Sequence, residues 1–216
     1  MPRVKICGLT RPADVDAAVA AGADALGFVV DVPVDTPREV SPARAADLVD
    51  QVPPFATTVL VTMTDDPDHA IELVRRVGPD VLQLHGSMSD GEFAYLAAKL
   101  SVDLVKTVAA GDADVVHRYD DLADALLVDS ADDAGAGGTG RTHDWEETWA
   151  LARSVTSPVI LAGGLTPDNV AEAVQAVHPF GVDVASGVEA TGGEKDHSAV
   201  EAFVAAAKET QRPVRP

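Results

Sequence analysis

The residues best suited to chemistry are few and widely spaced. The chain's one cysteine, Cys7, ends a short apolar stretch and is followed by Gly8 and a helix-start signal. A thiol at such a place is either inert packing or a reactive group. Its reference pKa of about 8.5 makes it a candidate base. Asp129 ends a second apolar stretch, Ala125-Leu126-Leu127-Val128. A carboxylate there either caps the next loop or gives and takes a proton. Gly163-Gly164 and Ser186-Gly187 are tight turns or, read together, an anion cradle, because backbone without a Cβ can approach a phosphate closely. A further glycine run, residues 135–140, is a lid, a cradle or a surface loop; it lacks the Gly-Lys-Ser/Thr ending of a nucleotide loop. Among the six histidines only His85 falls at a strand end facing the same side, where it is a candidate substrate contact. No His-x-x-x-His or His-Glu-x-x-His spacing is present, so no metal site is expected.

These residues need a scaffold, and the apolar pattern supplies one. Buried strands are expected at 4–7, 25–30, 57–62, 81–85, 104–108, 125–129, 159–162 and 182–185. Several are continuous apolar runs, the mark of strands covered on both faces. Between them lie alanine-rich amphipathic segments. Ser41-Pro42 and Thr166-Pro167 read as helix starts, with Pro12 and Pro67 placed similarly, and Gly22 and Gly78 as helix stops. Eight such alternations predict an α/β chain folded as one (β/α)8 barrel domain over 1–216, with a doubly wound open sheet as the alternative. The first strand-to-helix turn, Cys7-Gly8-Leu9-Thr10, lacks a Gly-x-Gly-x-x-Gly fingerprint, which disfavours dinucleotide binding. In a barrel, Cys7, His85, Asp129 and the paired glycine turns all reach the C-terminal face, and the turns after strands seven and eight are where phosphate is usually held.

Composition narrows the partners. The net charge is −19, from 35 acidic against 16 basic residues, of which five are lysines. That balance excludes a nucleic-acid surface as the expectation. It fits a solvated acidic surface adapted to high salt. No apolar run approaches the length of a membrane span, and the N-terminus has no signal-like region, so a cytoplasmic protein is expected.

Five segments carry a resemblance: Lys5-Ile-Cys-Gly-Leu-Thr10, Gln83-Leu-His-Gly86, Gly137-Gly-Thr-Gly140, Leu161-Ala-Gly-Gly-Leu-Thr166 and Gly181-Val-Asp-Val-Ala-Ser-Gly-Val-Glu189. In this order the sequence resembles the phosphoribosylanthranilate isomerase family of tryptophan biosynthesis, from residue 3 to about 207. The resemblance implies a cofactor-free Amadori rearrangement of N-(5-phosphoribosyl)anthranilate by a monomer or homodimer. It also implies that Asp129 is the general acid, Cys7 the general base and Arg38 the holder of the anthranilate carboxylate. Asp183 would lie near the substrate, and Gly163, Gly164, Ser186 and Gly187 would bind the phosphate. The alternatives are another phosphosugar isomerase on a barrel and a catalytically silent phosphate-ligand barrel. The chain departs from the family pattern in a longer, more acidic 30–36 segment and at Arg141, His143 and Ala185.

Overall fold

The computed structural model describes residues 1–130 and 144–209. Eight parallel strands close in chain order: β1 (Arg3–Ile6), β2 (Ala25–Val29), β3 (Thr57–Thr62), β4 (Val81–Leu84), β5 (Asp103–Ala109), β6 (Ala125–Asp129), β7 (Val159–Leu161) and β8 (Gly181–Val184). Pairing of Arg3 with Gly181 and of Lys5 with Asp183 seals β1 to β8, which rules out the open sheet. The helices are α1 (Pro12–Ala20), α2 (Pro42–Val49), α3 (Pro67–Val77), α4 (Asp90–Lys99), α5 (Ala113–Tyr119), α6 (Trp145–Ser154), α7 (Val170–Val177) and α8 (His197–Glu209).

The continuous apolar runs divide by strand alternation. Leu26, Leu60, Leu82 and Leu126 point outward and are buried beneath the helices, each contributing about 1.5–3 kcal/mol. Their neighbours Val59, Val61, Val81, Val105, Ala125 and Leu127 form a separate, thinner cluster inside the barrel. The same alternation sends Lys5, Gln83, Thr107 and Asp183 inward, and all four are buried. The barrel interior is therefore polar toward the end that carries the site.

The opposite face shows a repeat. The residue before β2, β4 and β6 is an aspartate, and each carboxylate accepts the amide of the preceding strand: Asp24 from Val4 at 2.9 Å, Asp80 from Thr58 at 2.8 Å, and Asp124 from Leu104 at 2.8 Å. The fourth equivalent, before β8, is Phe180, which is partly exposed, as Phe55 is fully.

One expectation needs correction. Thr166-Pro167 does not start α7. Asn169 accepts from the Thr166 amide at 2.8 Å and donates to the Gly164 carbonyl at 2.9 Å, fixing a turn that delays the helix to Val170. A short hairpin, β9 (Glu189–Thr191) with β10 (Glu194–Lys195), also follows β8; its few residues carry no alternating pattern long enough to mark strands. Ser41 and Asp66 do cap helices ahead of proline, and Gly78 ends α3 in the left-handed conformation.

Candidate active site

Cys7 lies one residue past β1, His85 one past β4, Asp129 at the end of β6 and Asp183 in β8. Together with Arg38 they line one cavity of about 300 Å³ at the C-terminal mouth. A larger recess of about 700 Å³ adjoins it and shares His85 and Asp129, so the two form one opening, with the reactive groups concentrated in the smaller part.

Arg38 reaches the mouth because its loop folds back on the barrel. The Val40 amide donates to the Val29 carbonyl at 2.9 Å, and Glu39 bridges Val29, which closes the loop at the end of β2. Arg38 then lies over Gly8, where an added Cβ would come within 2.7 Å of its Cδ. Its Nε and Nη2 donate to the two Glu189 carboxylate oxygens at 2.8 and 2.7 Å. Glu189 also accepts from Lys195 Nζ at 2.9 Å, and Lys195 donates to the Ala185 carbonyl. Burial pushes the Glu189 carboxyl up, but bonds from Arg38 and Lys195 outweigh it and hold the group below its usual range. Burial lowers the Lys195 ammonium, with Glu189 opposing it. The hairpin thus buttresses the loop that carries Arg38, and its Gly192-Gly193 turn packs against Pro37.

Charge surrounds the thiol. Lys5 Nζ lies 2.9 Å from Asp183 Oδ1. Burial pulls the Lys5 ammonium down, yet Asp183 and Cys7 more than offset that and raise it. Burial raises the Cys7 thiol, opposed by Lys5 and Lys195. Asp129 has different company: His85 Nε2 stands 3.9 Å from its Oδ2, and Ser130 Oγ is 3.4 Å from its Oδ1. The His85 loop is tethered by Lys106, which donates to the Gly86 carbonyl, and by Tyr119 Oη, 2.5 Å from the Met88 carbonyl. Burial lowers the Lys106 ammonium to about 8.

Gly163 and Gly164 turn at φ 87° and 63°, a region costly for other residues. A Cβ on Gly163 would come within 2.8 Å of Asp129 Oδ1, so this turn begins against the candidate acid. Gly187, in the short turn after β8, packs on the Leu165 carbonyl and brings the two glycine turns together. The 135–140 run, Arg141 and His143 lie outside the described residues. Among the described residues no group of three His, Cys, Asp or Glu side chains could hold a metal ion.

Sequence reading missed four side chains here: Lys5, Gln83, Glu189 and Lys195. Strand alternation from Cys7 would have found Lys5, two residues earlier, and Gln83 stands two before His85. Glu189 and Lys195 depend on the unforeseen hairpin.

The N-(5′-phosphoribosyl)anthranilate (PRA) isomerase family model matches residues 4–206. An N-(5′-phosphoribosyl)anthranilate isomerase from Halobacterium salinarum is 61% identical over 216 residues, 99% of each chain. The crystal structure of the Thermotoga maritima phosphoribosylanthranilate isomerase superposes with a TM-score of 0.86 at 34% identity, covering 96% of this chain and 99% of that one. A second isomerase structure, in complex with reduced 1-(o-carboxyphenylamino)-1-deoxyribulose 5-phosphate, matches with a TM-score of 0.84 at 32% identity, covering 96% and 99%. This chain belongs to the N-(5′-phosphoribosyl)anthranilate isomerase family.

Proposed function

We propose that Asp129 and Cys7 are the acid and base with which this isomerase converts phosphoribosylanthranilate into the aminodeoxyribulose phosphate. The observation that carries the assignment is one cavity receiving Cys7 from the β1 end and Asp129 from the β6 end. A sugar lying between them meets a proton donor on one side and an acceptor on the other. Asp129 protonates the furanose ring oxygen, and the anilinic nitrogen expels it to give a protonated imine. Cys7 then takes the C2′ proton, and the enolamine tautomerises to the ketone. Every step moves protons within one substrate, so the atoms balance without an oxidant or reductant.

Arg38 holds the anthranilate carboxylate through donors that Glu189 does not engage. His85 and Asp183 contact the sugar, and amides of Gly163, Gly164, Ser186 and Gly187 hold the phosphate. The chain acts as one barrel domain in the cytoplasm, as a monomer or homodimer; among the described residues no helix is long and apolar enough to cross a membrane. Freshly generated phosphoribosylanthranilate is fluorescent, and its loss on adding the protein in about 2 M KCl tests the activity. Binding without conversion would instead favour a silent phosphate-ligand barrel.

A further inference from the structure

Lys5 and Cys7 stand two residues apart at the end of β1, so both side chains enter the barrel. On the neighbouring strand the facing residue is Gly27. A Cβ there would sit 2.8 Å from the Cys7 sulfur and 3.1 Å from Lys5 Cε. The thiol and the end of the lysine stem therefore share space that any other β2 residue would fill. Lys5 Nζ is fixed by Asp183 Oδ1 at 2.9 Å, and the end of its stem lies beside the Cys7 sulfur over Gly27. Lys5, Cys7 and Asp183 are 5%, 7% and 9% exposed, so their charges act through little solvent.

We propose that Lys5 is a positioning residue for the base: its ammonium, held by Asp183 against the Cys7 sulfur, is the counter-charge on which the thiolate forms. This inference rests on the reading of Cys7 as the base. In the proton-removal step the C2′–H bond breaks and its electron pair becomes the C1′=C2′ bond. The imine π pair returns to nitrogen, and S–H forms. Lys5 keeps its proton throughout. An isolated buried thiol would ionise poorly, since burial disfavours the charged form. The charged groups facing the sulfur are Lys5 from β1, Asp183 from β8 and Lys195 from β10, with Arg38, His85 and Asp129 lining the same cavity. Lys195 is already held by Glu189 and the Ala185 carbonyl, which leaves Lys5, beside Cys7 on the same strand face, as the cation that neighbours the sulfur.

Cys7 is the only cysteine, so thiolate ultraviolet absorbance and the rate of iodoacetamide alkylation report it alone. The two members of the ion pair should move it in opposite directions. Lys5→Met raises the Cys7 titration midpoint by about one pH unit or more, and Asp183→Asn lowers it. The rising limb of the single-turnover pH–rate profile should move with each midpoint. A purely structural ion pair would not produce shifts of opposite sign. An unmoved midpoint in folded Lys5→Met overturns the proposal. Should Lys5→Met fail to fold, Asp183→Asn decides: a lowered midpoint supports the proposal, and an unchanged or raised one overturns it. Midpoints that shift as expected while the rate profile stays fixed overturn Cys7 as the base, and with it the catalytic meaning of the pair.

Discussion

On the β8–β1 side of the mouth, Cys7 stands near three charged side chains, Lys5, Asp183 and Lys195, the first two paired with each other and the third with Glu189. On the β6 side, Asp129 has a histidine at 3.9 Å and a serine hydroxyl at 3.4 Å. The Cys7 side is thus set by charges that the fold itself buries, where low dielectric strengthens each one. The Asp129 side opens on the larger recess. Under the proposed roles, charge lies where a thiol must ionise and space where a carboxyl must meet a ring oxygen.

The sharpest way to break this comparison is to remove each reactive group. Cys7→Ser and Asp129→Asn should each slow single-turnover conversion by about 10²-fold or more, with binding of the reduced product analogue little changed. Retention of more than about a tenth of the wild-type rate by either folded variant would end the pairing.

Arg38→Ala should act next most strongly, raising KM about tenfold or more, because a guanidinium fork matches a carboxylate in a way lysine does not. Glu189 would then keep only Lys195, so thermal stability should fall as well. Glu189→Gln separates the two effects: it should lower Tm while changing KM less than Arg38→Ala does. A KM change within twofold for Arg38→Ala would place the carboxylate elsewhere.

A smaller effect comes from a buried carboxylate outside the mouth. Asp14 accepts from Arg11 Nε and Nη2, both at 3.0 Å, and lies 2.8 Å from His197 Nε2. Burial raises its carboxyl, but the Arg11 and His197 bonds prevail and lower it. Asp24 and Glu189 are lowered likewise. A carboxyl lowered by folding stabilises above its unfolded pKa of about 4, and that stability is lost as pH falls through the lower folded value. Resistance to denaturant should therefore weaken below about pH 4, and Asp14→Asn should cost about 2 kcal/mol at neutral pH while flattening the acid dependence. Equal acid sensitivity in the variant would show that other carboxyls carry it.

The weakest effect per residue is screening of the acidic surface. With a net charge of −19, Tm should rise between about 0.05 and 2 M KCl, as repulsion among exposed carboxylates is damped. The buried Lys5–Asp183 pair should respond far less, so the shift in Cys7 midpoint caused by Lys5→Met should persist in high salt. An unchanged Tm would remove the case for salt adaptation.

The barrel was legible because each strand is buried on both faces, and two-sided burial writes uninterrupted apolar runs such as Leu126-Leu127-Val128. Cys7, His85 and Asp129 could be placed at the mouth because each ends a mainly apolar stretch, broken only by Lys5 and Gln83 in the first two. Arg38 could not be placed by pattern, because its position depends on the loop closing back onto Val29. Its partner Glu189 lies 151 residues away on a hairpin of only a few residues. The start of α7 was misjudged because Asn169 fixes the turn more firmly than Pro167 opens a helix. Lys5 was readable by alternation alone, but only once the strand was known to line a closed interior.

The division of labour between the two sides is tested most directly by single-turnover conversion of substrate carrying deuterium at C2′. Cys7→Ser slows the step in which that C–H bond breaks, so the isotope effect should grow beyond the wild-type value. Asp129→Asn slows ring opening ahead of that step, so its isotope effect should shrink toward unity. The reverse pattern, or an isotope effect that neither variant changes, would contradict Cys7 as the base and Asp129 as the acid.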